Sequence, residues 1–81
     1  MRLVAEISDA DLLFSLLHSL GSTFYVEKDK GQVEVLYFSG NRIVHYTGKL
    51  DKDKMELLRA MGWRVKHIEV DEATGTVKIT Q

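Results

Sequence analysis

The sequence has no cysteine, no proline and no excess of either charge. Lacking cysteine, it offers no disulfide framework, no thiolate zinc site and no cysteine nucleophile. Eleven Lys and Arg stand against twelve Asp and Glu, a formal net charge of −1. With a pI near 6.3, that balance is far from the basic footprint of a dedicated nucleic-acid binder. No apolar run approaches the length that spans a bilayer, so no membrane partner is expected. Glu6 puts a charge where a secretory signal needs its apolar stretch, and the expected location is the cytoplasm. Asn and Gln are scarce (Asn41, Gln32 and Gln81), a leaning shared with heat-adapted proteins. What remains is an ordinary globular composition, 44% hydrophobic and 28% charged, in 81 residues. That suffices for one domain near the lower limit of unaided folding.

Local patterns divide the chain into short strands and two helices. Leu3, Ala5 and Ile7 alternate along a strand. Ser8 with Asp11 three residues on reads as a helix cap. A helix is expected over about residues 9–20, with a stripe of Leu13, Leu16, Leu17 and Leu20 and a left-handed terminus at Gly21. Residues 23–28 alternate Phe24 and Val26 against Tyr25 and Glu27. A charged hairpin connection, Lys28 to Gly31, leads into a strand over 32–38. That strand is apolar on both faces at Leu36-Tyr37-Phe38, which predicts an interior or covered position. A turn at Ser39-Gly40-Asn41 precedes a strand over 42–47.

Asp51 caps a helix over about Lys52 to Met61, and Leu50 and Met55 have the spacing of a hydrophobic staple. Residues 63–70 read as one strand that changes phase near Lys66-His67, which a bulge would reconcile. Trp63 reads as a core anchor at the helix–strand corner. After a turn at 71–75, the last strand has Val77 and Ile79 inward.

The halves 1–40 and 41–81 align with a period of about forty residues. Arg2-Leu3-Val4 matches Arg42-Ile43-Val44, and Leu16 to Gly21 matches Leu57 to Gly62; Gly31 to Val35 matches Gly75 to Ile79. Each half reads strand, helix, strand, strand. Packed together as a single α+β domain, they predict a two-layer sandwich of about six mostly antiparallel strands with both helices on one face. Internal duplication and the resemblance of any two such segments explain the match equally well. The element order resembles the strand-helix-strand-strand modules, single and in tandem, of gyrase-inhibitor-like ligand-binding proteins. No motif residue accompanies that resemblance, so it transfers no site.

In this arrangement the helices cover Phe24, Val26, Tyr37 and Ile43, and the opposite face exposes Tyr25, Leu36, Phe38, Val44 and Tyr46. A contiguous apolar surface of that kind calls for an occupant. The leading expectation is therefore a non-catalytic module that associates with itself or with a protein partner through this face or an exposed strand edge. Anion or nucleic-acid binding is the alternative. Residues 42–66 hold seven basic against three acidic groups, and Arg42, Lys49, Arg64 and Lys66 stand near His45, Tyr46 and Trp63. A small-molecule site between the two halves is a second alternative.

Catalytic and metal motifs are not found. His18 falls on the polar side of its helix, His45 reads as a hydrogen-bonded inward residue, and His67 lies at the phase change. None has a second ligand at metal-binding spacing, so neither a metal nor a cofactor is expected. Asp51-Lys52-Asp53 opens like a calcium loop but has no glycine turn. Gly48-Lys49 lacks the flanking residues of a phosphate loop, and no serine stands in a nucleophile elbow.

Overall fold

A computed structural model describes residues 3–81 as seven strands and two α-helices, with one short 3-10 turn at Asp29–Gly31. Strand β1 (Leu3–Ile7) leads into α1 (Ala10–Leu16), followed by β2 (Ser22–Glu27) and β3 (Gln32–Ser39). Then come β4 (Arg42–Lys49), α2 (Lys52–Met61), β5 (Trp63–Arg64), β6 (His67–Asp71) and β7 (Thr76–Thr80). Arg2, which opens the first half of the sequence match, lies outside the described residues.

Five strands form one sheet in the order β1-β4-β3-β2-β5, and β6 pairs with β7 alone. The sheet is mixed: β1 runs parallel to β4 and β5 parallel to β2, while β3 is antiparallel to both its neighbours. The expected antiparallel sheet of about six strands is corrected accordingly. The halves keep a common element order until β5. There the second half departs, because the backbone that began as a sheet strand crosses to the other layer.

The N–H of Val65 still donates to the carbonyl of Tyr25, but that of Lys66 donates to the carbonyl of Thr80. The change of phase seen in the sequence is this transfer between sheets, not a bulge. It also leaves Trp63 at the rim of the sheet, 68% exposed, rather than in the core.

Both helices pack on one face. Leu13 of α1 and Met55 and Leu58 of α2 are buried against Tyr25, Val33, Val35 and Tyr46. The opposite face is closed by the β6–β7 hairpin. Leu36 and Ile43 are buried with Val65 and Ile68, and Phe24, Val26, Phe38, Val70, Val77 and Ile79 pack against that cluster. Each such side chain removed from water stabilises the fold by about 1.5–3 kcal/mol, so the hairpin is a structural layer. The molecule has three layers rather than two.

The open apolar face is thereby corrected. Tyr25, Val44 and Tyr46 belong to the helix side and are buried; Leu36 is buried beneath the hairpin. Phe38 is half-buried there, with its ring edge-to-face on Phe24 at 5.8 Å between centroids. The expected facing is right for Tyr37 on β3, which lines the helix side, but one residue out on β2 and β4. Register fixes the true phase, since Val35 lies between Tyr25 and Tyr46, and Leu36 between Phe24 and His45. A strand covered on both sides is apolar in both phases, and alternation then cannot choose between them.

Helix α2 begins where its cap predicts, with Asp51 accepting from the Lys54 N–H and Leu50 buried in the same cluster as Met55. Helix α1 is shorter than expected and is capped by Asp9, not Ser8; the Asp9 carboxylate accepts from the N–H groups of Asp11 and Leu12. Its early end follows from β3. The Tyr37 hydroxyl donates to the Ser19 carbonyl, and the Ser39 hydroxyl to that of Leu20, drawing the chain away from the helix axis. Gly21 is required by this approach rather than by a left-handed backbone, because a Cβ there would collide with the Tyr37 ring and the Phe38 carbonyl.

Candidate functional site

With both sheet faces covered, strand edges, the gaps beside the helices and the polar hollow lined by Glu69, Glu72 and Lys78 of the hairpin remain open for binding. The β5 edge is two residues long. The β1 edge is five residues long, and among the described residues β4 is its only neighbour in the sheet. Its sequence, Leu-Val-Ala-Glu-Ile, carries one charge and neither Lys nor Pro, the residues that commonly blunt edge strands.

Beside this edge, on the helix side, α1 covers the sheet incompletely. A groove of about 470 Å³ lies between Leu12 and Leu16 of α1 and Ala5, Ile7, Tyr37 and Val44 of the sheet. Leu12 is 45% exposed at its rim. Arg42 lies at one end, with Ser19 and Ser39. The groove exists because β1 is an edge strand, Ala5 is small and α1 stops at Leu16.

The single charge of β1 is turned away from the edge. Glu6 and His45 are partners in the β1–β4 register, and His45 Nδ1 lies 2.7 Å from Glu6 Oε2 and 3.0 Å from Oε1. On the other side of the ring, Nε2 lies 3.0 Å from Glu34 Oε2. Lys28 approaches the other Glu34 oxygen at 3.9 Å. The imidazole and the Glu34 carboxylate are nearly enclosed, with side chains 11% and 14% exposed. Carboxylates only accept, so both contacts are hydrogen bonds at once only when the ring carries both protons.

The two ring nitrogens point in opposite directions, and the carboxylates therefore do not converge on a common point. No group of three His, Cys, Asp or Glu among the described residues has the arrangement of a metal site. His45 is thus the hydrogen-bonded histidine expected, facing the hairpin layer rather than the helices. His18 and His67 are exposed.

The four cations proposed for anion binding are exposed but scattered. Arg42 and Lys49 open and close β4, about 23 Å apart at strand rise, while Arg64 lies on the opposite edge strand and Lys66 just beyond it. They form no common surface. A two-pronged ion pair lies elsewhere: Arg59 Nε of α2 donates to Glu27 Oε1 of β2 at 2.7 Å, and Nη2 donates to Oε2 at 3.3 Å. These bonds, with the charges of Arg59 and Arg64, hold the Glu27 carboxyl below its ordinary value against the opposing effect of burial. Burial chiefly, and the Asp9 charge, push the Tyr46 phenol up; its hydroxyl donates to the Lys49 carbonyl at 2.9 Å.

Sequence reasoning missed the groove and the Glu6–His45–Glu34 cluster. Both depend on β1 lying beside β4, a pairing between residues about forty positions apart. Its one trace in the sequence was the match of Leu3-Val4 to Ile43-Val44. No helix among the described residues is long and apolar enough to cross a membrane. Compared with protein-family models, curated proteins and solved structures, the chain matches none.

Proposed function

We propose that the protein is a non-catalytic interaction module that takes an extended segment of another protein onto the β1 edge. Strand addition supplies main-chain hydrogen bonds, and alternate side chains of the segment enter the groove beside α1. The observation that carries this reading is the coincidence of an unblunted five-residue edge with an apolar groove on the same strand. The carboxylates of β1 and β3 that flank the His45 ring also favour a structural role for it, as a tie across three strands.

The test is titration of isotope-labelled protein with a synthetic peptide copying residues 3–8. Amide shifts confined to Leu3–Ile7, Leu12, Leu16, Tyr37 and Val44 are expected. Unmoved spectra, or shifts centred on Lys49, Arg64 and Lys66, contradict the reading.

A small apolar ligand in the same groove is a second reading, favoured by a volume within the range of ligand sites, roughly 300–1,000 Å³. It places shifts at Leu12, Leu16 and Val44 without involving the β1 backbone.

A further inference from the structure

We infer that the segment added to β1 is β1 of a second copy, antiparallel, about a twofold axis normal to the sheet. This inference rests on the strand-addition reading above and names its partner. The first argument is the distribution of charge along the edge. Leu3 is registered with Arg42, whose side chain lines the groove and has no ion-pair partner among the described residues. Beyond the other end of β1 come Asp9 and Asp11, and the Asp11 side chain is 90% exposed although it lies 3.5 Å from Lys54.

Antiparallel pairing centred on Ala5 puts Leu3 of one copy opposite Ile7 of the other. The Arg42 end of each copy then meets the Asp9–Asp11 end of its partner, twice over, as an isologous contact requires. Parallel addition instead sets like charges together at both ends.

The second argument is what the edge itself presents. Glu6 is folded back onto His45, and in this register it stands opposite the partner's Val4 rather than the partner's Glu6. The third is the groove. A twofold axis normal to the sheet keeps both α1 helices on one side, so the exposed Leu12 and half-buried Leu16 of each copy border a shared trough floored by Ala5 and Ile7. The small side chain of Ala5 leaves room at the axis for those leucines to close over the seam.

The experiment is sedimentation equilibrium of the wild-type chain and of R42D and D11R, each alone and mixed in equal amounts. The wild type is expected to dimerise, more weakly as salt rises. Each charge reversal alone weakens association by about tenfold or more, because it creates two like-charge contacts per dimer. The equal mixture recovers wild-type association as a heterodimer, since each variant supplies the charge the other lacks. Circular dichroism establishes that both variants are folded, and the salt dependence of the unmodified chain needs no variant.

A wild-type dimer indifferent to salt and to R42D, or a mixture that associates no better than its components, overturns the inference. So does a strict monomer at every concentration. If that monomer still takes the peptide of residues 3–8 along β1, strand addition stands and only the identity of the partner falls. If it takes neither, both fall.

Discussion

Glu6 and His45 stand side by side on the parallel strands β1 and β4, with the carboxylate drawn back over the sheet to 2.7 Å from the ring rather than out over the open edge. Glu34 closes the other side of the ring at 3.0 Å. One histidine thus ties three consecutive positions in the strand order, β1, β4 and β3. It also draws the only charge of β1 back over the sheet, although the Glu6 side chain stays 43% exposed.

Breaking that tie should be more harmful than replacing it whole. H45F leaves Glu34 nearly enclosed with only the distant Lys28, and an enclosed charge stripped of a partner is costly. A double-mutant cycle between E34Q and H45Q, followed by urea unfolding, should return a coupling of about 0.5–3 kcal/mol. Additive effects would mean that the contact contributes nothing.

The hairpin layer makes a sharper claim on stability. Ile68 is buried between β6 and the sheet, so I68A should cost about 2–5 kcal/mol. The exposed Leu57 of α2 serves as the control, with L57A changing stability by about 0.5 kcal/mol or less. If the two variants unfold alike in denaturant, the hairpin does not form the second core.

The cores also explain what could be read from the sequence. Helix α2 was legible because Asp51, Leu50 and Met55 mark its start locally, and its buried face follows from residue spacing alone. β3 was legible because Leu36-Tyr37-Phe38 cannot leave either face wet. The phases of β2 and β4 were not, since Phe24 and Tyr25, or Ile43 and Val44, satisfy a covered sheet equally well in either orientation. Only the non-local closure by the hairpin decides them. Trp63 shows the same limit: its size suggested a core anchor, but the chain changes layer just after Val65 and leaves the ring at the rim.

At Gly21 the constraint is steric. G21A places a methyl group against the Tyr37 ring and the Phe38 carbonyl, and it should destabilise by about 1–3 kcal/mol through overpacking. Replacing Gly40, where a Cβ meets nothing but φ is +58°, tests backbone strain alone. A G21A protein as stable as the parent would place the α1–β2 connection elsewhere.

Acid should weaken the link between α2 and β2. The folded value of Glu27 lies below its unfolded value of about 4.5, so its contribution is present above that pH and is lost as pH falls through the lowered folded value. E27Q removes this part of the acid dependence. Thermal unfolding of the two proteins between pH 2 and 7 should therefore converge at the acid end, and curves that stay parallel would rule the contribution out.

The central claim is that a sheet covered on both faces leaves β1 as the strand that pairs with β1 of a second copy, and amide hydrogen exchange tests it most directly. Exchange is followed residue by residue from dilute to concentrated protein. Protection of outward-pointing amides within Leu3–Ile7 should rise with concentration, while the amides of β3, already paired on both sides, stay unchanged. Protection of β1 that is independent of concentration, or a rise confined to β5 or to the β6–β7 hairpin, would contradict it.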